Sequence, residues 1–443
     1  MNNLKKKYSI ITYGCQMNLH ESEKLAGILN GLGYESTNSE LDADIIVFNT
    51  CCIRENAVDR AEGNIGALKG LKKKKKDLII AVGGCMTQQD GFANELHEKF
   101  PFVDIIFGTH NLELFKDLLI RKQNQKKALL SVEEKEGNII EGTPKLRSSY
   151  PNAWVNIAYG CNNFCTYCIV PYVRGRERSR KPEDVISECE ELIKQGYKEI
   201  TLLGQNVNSY GSDLGNTDFS YLIDKISAID GDFRLRFMTN HPKDLTEKLI
   251  VSLSKSSKVA KSIHLPIQAG SNRILKLMNR RYTREDYLEK VKLLRKYIPD
   301  ISITTDIMVG FPTETEDDFN DTMAIVEEVQ YAGAFTFIYS KRKGTPAEKM
   351  DGQVDEKVSK DRIMKLINLQ NSINRKQSKE YLNKTVRILC EDYDDKKDCY
   401  LGRDTYGRMV YFKSQSNNIG KFLDVKITKT GGISLFGELV KGY

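Results

Sequence analysis

A chain of 443 residues is too long for one ordinary core, so roughly two to four domains are expected. Its 67 Lys and Arg against 60 Asp and Glu leave a mild excess of +7, which permits an anionic partner without identifying one. No leader combines a basic start, an apolar stretch and a small-residue cleavage site, and no apolar run nears the ~18 residues that span a bilayer, so a soluble cytoplasmic protein is expected, and the ten Cys read as thiols, metal ligands or cluster ligands rather than disulfides.

The N-terminal part alternates strand and helix patterns. Tyr8 to Thr12 is a β-like run ending at Gly14-Cys15, and a helix is expected over Glu21 to Leu29. Asp44 to Phe48 leads to Asn49-Thr50-Cys51, and Leu78 to Val82 leads to Gly83-Gly84-Cys85. A further strand, Asp104 to Phe107, and a helix, Leu112 to Arg121, complete the pattern. Apolar strands separated by helices predict a parallel, flavodoxin-like sheet over residues 1–122. Ligands of such sheets gather at the carboxyl ends of the strands, where Cys15, Cys51 and Cys85 all fall. They are therefore read as three converging cluster thiolates, against the alternative of buried core cysteines. Cys52, beside Cys51, is expected to face away and pack. Lys72 to Lys76, after a helix from Ala57 to Leu71, reads as a solvated helix end with RNA contact as the second reading. Residues 123–146 lose periodicity and read as a linker with at most a hairpin.

From Ala153 to about Gly344 six strand–helix units follow, with strands at Trp154 to Ala158, Glu199 to Leu203, Phe233 to Met238, Ser262 to Ile267, Ile301 to Val309 and Ala334 to Tyr339. Six units are fewer than the eight that close a barrel, so an open, partial (β/α)6 barrel of TIM type is expected within residues 147–377. Its first strand runs into Tyr159-Gly160-Cys161-Asn162-Asn163-Phe164-Cys165-Thr166-Tyr167-Cys168. Cys161, Cys165 and Cys168 supply three thiolates where a four-iron cube normally takes four, which leaves one iron open to a substrate or cofactor. A zinc knuckle lacking its fourth ligand is the other reading. Next come Arg174, Arg176, Arg178 and Arg180, spaced to fork onto phosphates or a cofactor carboxylate, or else to pair with Glu177, Glu183 and Asp184. The strand ends carry Gly204-Gln205-Asn206, Thr239-Asn240-His241, Gln268-Ala269-Gly270-Ser271 and Gly310-Phe311-Pro312, polar loops on a rigid scaffold. Cys189 reads as core.

After a helical connection from Glu356 to Leu382, five short β-like runs between Thr385 and Leu439 predict a small all-β, OB-like barrel over residues 378–443. Arg403, Tyr406, Arg408, Tyr411, Phe412 and Lys413 interleave cations with aromatic rings, the combination that grips phosphates and stacks bases. Cys390 and Cys399 read as structural.

The C-x3-C-x2-C loop with Tyr167 before its last Cys resembles the radical S-adenosylmethionine superfamily. That resemblance implies a four-iron, four-sulfur cluster whose open iron chelates S-adenosylmethionine and cleaves it to a 5′-deoxyadenosyl radical. With Cys15, Cys51 and Cys85 ahead of it, the whole chain resembles the radical methylthiotransferases. The segments Thr12 to Asn18, Asn49 to Ala57, Gly84-Cys85-Met86 and Leu203 to Asn208 point to the branch that acts on tRNA, and the C-terminal barrel resembles that family's TRAM domain.

The resemblance implies methylthiolation of C2 of N6-isopentenyladenosine at position 37 of tRNA. Two four-iron clusters are implied, with sulfide or polysulfide on the auxiliary one, together with a flavodoxin- or ferredoxin-type reductant and a sulfur donor. Cofactor contacts are expected from Tyr167, Gly204, Gln205, Asn206, Gln268 and Arg174, and RNA contacts from Arg176, Arg178, Arg180, Arg403, Arg408 and Lys413. The same architecture also serves methylthiotransferases acting on N6-threonylcarbamoyladenosine or on a ribosomal-protein aspartate. A non-catalytic RNA-binding iron–sulfur protein is the reading from another class.

Overall fold

The computed structural model describes residues 5–52, 55–133 and 139–440. Ile53 and Arg54 of the Asn49 to Ala57 segment lie outside the described residues. The chain divides into two compact units, one of Met1–Ser148, Tyr159–Asn162 and Cys168–Arg178, the other of Ser149–Ala158, Asn163–Tyr167 and Ser179–Tyr443.

The first unit is built on a six-stranded sheet. Across it lie Glu35–Ser36, Lys7–Thr12, Ile45–Thr50, Ile79–Gly84, Ile105–Phe107 and Leu129–Ser131, every pair parallel. The order 2-1-3-4-5 is that of flavodoxin-like sheets, extended by one strand. Successive residues face opposite sides, so Ile45 and Val47 join Leu25, Ile28 and Phe115 in one core while Ile46 and Phe48 join Ala61, Ile65 and Leu96 in the other. This two-sided burial explains why these strands are apolar throughout.

Three local expectations change. The first helix spans Gln16–Gly31, starting five residues before Glu21, because Cys15 caps it and the Asn18 side chain closes the cap. The expected helix from Ala57 to Leu71 is two, Glu55–Ala67 and Lys69–Lys74. Inside the predicted linker, Leu129–Ser131 is a sheet strand, three residues being too few to show a period. The lysine run is partly internal, since Lys72 pairs with Asp104 at 2.6 Å and Lys75 with Asp44 at 3.1 Å.

In the second unit six parallel strands follow in chain order. Arg234–Phe237, Glu199–Leu203 and Asn152–Asn156 form one three-stranded sheet, and Ser262–His264, Ser302–Val309 and Gly333–Ile338 another. A bridge between Leu235 and Val259 joins them, giving the open, partial barrel. Helices such as Pro182–Lys194, with Pro in its first turn, and Glu316–Val329, capped by Thr315 and Asp318, cover its outside.

The same unit ends in a closed five-stranded barrel of Thr385–Asp394, Cys399–Asp404, Met409–Phe412, Ser434–Leu439 and Phe422–Gly431. It is bolted to the (β/α)6 part. Arg234 donates to the carbonyls of Arg403 at 2.8 Å and Asp404 at 3.0 Å, and Arg236 to that of Asp404 at 2.7 Å. Among the described residues no helix is long and apolar enough to cross a membrane.

Candidate active site

In the first unit the three expected cysteines stand at the carboxyl ends of adjacent strands. A Cβ on Gly14, whose φ is +129°, would meet the Cβ of Cys51 at 2.8 Å; one on Gly84, at φ +104°, would meet the Thr50 carbonyl at 2.4 Å. Glycine is thus required for the three loops to close on each other. Asn18, fully buried, fastens two of them: its Oδ1 faces the Cys15 backbone N–H at 3.4 Å while its Nδ2 donates to the Thr50 carbonyl at 3.2 Å.

Cys85 is 1% exposed and Arg174 4%. The Arg174 Nε lies 3.1 Å from the Cys85 sulfur, and its two Nη atoms fork onto Glu21 at 2.7 and 3.2 Å. Burial pulls the guanidinium towards neutrality, but Cys85 and Glu21 outweigh it and hold the charge. The Cys52 thiol donates to Cys85, which together with Arg174 draws the Cys85 thiol below its usual range despite burial. Cys52 is therefore not merely packing, as expected from its neighbour Cys51; it joins Cys85, Ile169 and Val173 in one buried cluster. A buried cation beside the Cys85 thiol, which it helps to ionise, suits an anionic iron–sulfur group.

In the second unit Cys165 meets a different arginine. Arg280, 4% exposed, places Nη1 3.2 Å from the Cys165 sulfur and 3.3 Å from the Tyr167 hydroxyl. Its Nε donates to the Tyr282 hydroxyl at 2.9 Å and its Nη2 to the Pro266 carbonyl at 3.0 Å. Among the described residues no carboxylate pairs with it. Burial and then the Arg280 charge push His241 down to about 2, so this imidazole is neutral wherever the protein works.

At the strand ends, Asn156 Oδ1 and Nδ2, Asn208 Oδ1 and Asn240 Oδ1 are buried without a hydrogen-bond partner among the described residues. Each such group costs about 1–3 kcal/mol if it stays unmet, so a ligand rich in donors and acceptors fits there. S-adenosylmethionine, with its amino, carboxylate, hydroxyl and adenine groups, has that character. No three His, Cys, Asp or Glu among the described residues converge as ligands of one ion. A cube places each thiolate on its own iron and so requires no such convergence.

The other expected contacts fare unevenly. Gly204 is buried, Gln205 half-buried, and Asn206 bonds to Asp244 at 2.7 Å and to the His241 N–H at 3.0 Å, so it braces the loops. Gln268, at φ +72°, bridges backbone to Asp306 and Met308. Arg176 is exposed, and Arg178 lines a cleft with Glu21, Lys24 and Tyr159. Arg180 is buried on Glu188 and the Asn156 carbonyl, and Arg408 on Gln377 and the Tyr381 ring, both internal pairings. Arg403 pairs with Glu391, and Lys413 with Asp398 on the surface. Arg280 escaped the sequence reading, although the adjacent pair Arg280-Arg281 just after a helix was a visible signal.

Three family models match the chain: "Uncharacterized protein family UPF0004" over residues 7–108, "Radical SAM superfamily" over 155–326 and "TRAM domain" over 379–440. A protein of Clostridium tetani named tRNA-2-methylthio-N(6)-dimethylallyladenosine synthase is 53% identical over 99% of this chain and 97% of its own. One of the same name from Caldicellulosiruptor saccharolyticus is 51% identical over 99% and 93%. Among solved structures, the radical S-adenosylmethionine methyltransferase TsrM of Kitasatospora setae shares the fold, with a TM-score of 0.58 at 14% identity over 77% of this chain and 75% of that one. On full-length identity of this order the chain belongs to the radical S-adenosylmethionine methylthiotransferase family, in its tRNA-2-methylthio-N(6)-dimethylallyladenosine synthase branch.

Proposed function

We propose that the protein methylthiolates C2 of N6-dimethylallyladenosine at position 37 of tRNA. The observation that carries this reading is the 53% identity, over 97% of its length, to a synthase of that name. When bound, an iron–sulfur cluster with S-adenosylmethionine supplies a 5′-deoxyadenosyl radical, the reagent suited to a C–H bond with no acidic proton. Cys161, Cys165 and Cys168 would hold that cluster, and Tyr167 and Arg280 brace Cys165. Cys15, Cys51 and Cys85 would hold a second cluster, the expected carrier of sulfide or polysulfide; Arg174 supplies fixed positive charge beside Cys85 and Glu21 keeps Arg174 in place. A flavodoxin- or ferredoxin-type protein provides electrons and a separate donor the sulfur.

The C-terminal barrel and the exposed cations Arg176 and Lys413 contribute to tRNA binding. The buried arginines Arg180 and Arg408 act by holding local structure. The full-length identity to the dimethylallyladenosine enzymes favours that substrate over threonylcarbamoyladenosine or a protein aspartate.

Nucleosides from a host lacking its own synthase test the substrate. Expressing this chain there should restore 2-methylthio-N6-dimethylallyladenosine, and a methylthio group on threonylcarbamoyladenosine instead would overturn the assignment. The cluster count has its own check. Anaerobically reconstituted protein in which Cys161, Cys165 and Cys168 are Ala should keep about half the iron of the parent, since one of two four-iron sites remains. Iron that vanishes, or does not change, contradicts two separate sites.

A further inference from the structure

The sheet of Ser262–His264, Ser302–Val309 and Gly333–Ile338 has two unlike faces. Ile303, Thr305, Ile307 and Val309 are buried, whereas Thr304, Asp306 and Met308, pointing the other way, are half-buried. The register pairs His264 with Thr304, Asp306 with Phe335, and Met308 with Phe337, so these six share the open face. On it Phe335 is 59% and Phe337 39% exposed. The Phe335 ring meets His264 edge-on at 5.8 Å and 72°. His264 is itself fixed, its Nε2 3.3 Å from Asp306 and its Nδ1 3.0 Å from the Thr304 hydroxyl. Two phenyl rings and a thioether left open beside a fixed polar edge make a surface that wants a flat, apolar cover.

The carboxyl ends of the flanking strands are tied to the cysteine loop. Just beyond Ser262–His264, the Pro266 carbonyl accepts from Arg280, which also reaches Cys165. Beyond Gly333–Ile338, the Ala347 N–H donates to the Thr166 carbonyl at 2.9 Å.

We infer that Phe335 and Phe337, with His264 at their polar edge, seat an N6-prenylated adenine, the rings taking the base and its five-carbon branch. This deepens the function proposed above and rests on it. The charge on the face selects the occupant. Among the described residues, His264 and Asp306 on this face are paired with each other, Arg236, which reaches Ser262 at the amino end of the same face, is held by Glu199, and the negative faces of the phenyl rings repel anions. A dimethylallyl group is uncharged and apolar and fits. A threonylcarbamoyl group or an aspartate would lay a carboxylate over the rings and beside Asp306.

The test uses the full chain and two anticodon stem-loop RNAs, one with N6-dimethylallyladenosine and one with plain adenosine at the same position. The parent should bind the prenylated RNA more tightly, by about tenfold for partial burial of the five-carbon branch. F335A and F337A should each lower that preference, the double variant should abolish it, and F335L, which keeps apolar bulk, should retain part. The plain RNA, which offers the rings a base but no branch, should lose less affinity than the prenylated RNA, and the thermal midpoint should change little. A preference that survives in the double variant overturns this inference, as does an equal loss for both RNAs, which would mark general RNA contact or misfolding. A parent with no preference overturns the substrate reading itself.

Discussion

Protein in which Cys15, Cys51 and Cys85 are all Ala should still cleave S-adenosylmethionine to 5′-deoxyadenosine at a rate close to the parent's, yet form no methylthiolated tRNA. The three cysteines follow the carboxyl ends of three adjacent strands of the first unit, and none belongs to the Cys161 loop. Folding should survive the change. Arg174 loses the Cys85 sulfur but keeps its fork on Glu21 at 2.7 and 3.2 Å, so no uncompensated buried charge is created. Liquid chromatography of both products from one reaction gives the answer. Methylthiolated nucleoside from the triple variant would exclude these cysteines as the sulfur holder. Loss of both products would show that the two cysteine sets do not act separately.

The fold was largely legible because its strands are short apolar runs that stop at Gly or Asn-Thr, and because such runs alternate with period-3.6 patterns on either side of residues 123–146. The same punctuation places Cys15, Cys51 and Cys85 at strand ends on sequence alone. What stayed hidden is what tertiary packing alone decides. Arg174 reads in sequence as one of four alternating arginines, and nothing local reveals Glu21, 153 residues away, as its partner. Arg180 and Arg408 looked like free cations for RNA, but burial against Glu188 and Gln377 commits them to the fold. The expectation that Cys52 faces away from Cys51 rests on the alternation of adjacent side chains. That rule holds within a strand, and Cys52 lies just past the end of Ile45–Thr50. The exposed rings of Phe335 and Phe337 were invisible for a related reason: an alternating aromatic strand normally signals a buried face, and only an open barrel leaves such a face uncovered.

Arg280 should matter to the cysteine loop far more than to the fold. A buried guanidinium bonded to two hydroxyls, a carbonyl and a sulfur, with no carboxylate among the described residues, bears a desolvation cost that those partners only partly offset. Replacing it with Met removes that cost along with the bonds, so the thermal midpoint of the cluster-free protein should move by only a few degrees. The reconstituted protein should behave otherwise. A hydrogen bond to a charged acceptor is worth about 1.5–3 kcal/mol, and losing one at Cys165 should slow 5′-deoxyadenosine formation by about ten- to a hundredfold. Lys at this position keeps the charge but not the planar fork that reaches Cys165, Tyr167, Tyr282 and Pro266 at once, so R280K should recover only part of the rate. Iron retention under a chelator supplies a readout independent of turnover. In a background lacking Cys15, Cys51 and Cys85, R280M should lose its iron faster than the same background with Arg280. Equal retention together with an unchanged rate would reduce Arg280 to a packing residue, and a large fall in the thermal midpoint would mean that the guanidinium serves the fold first.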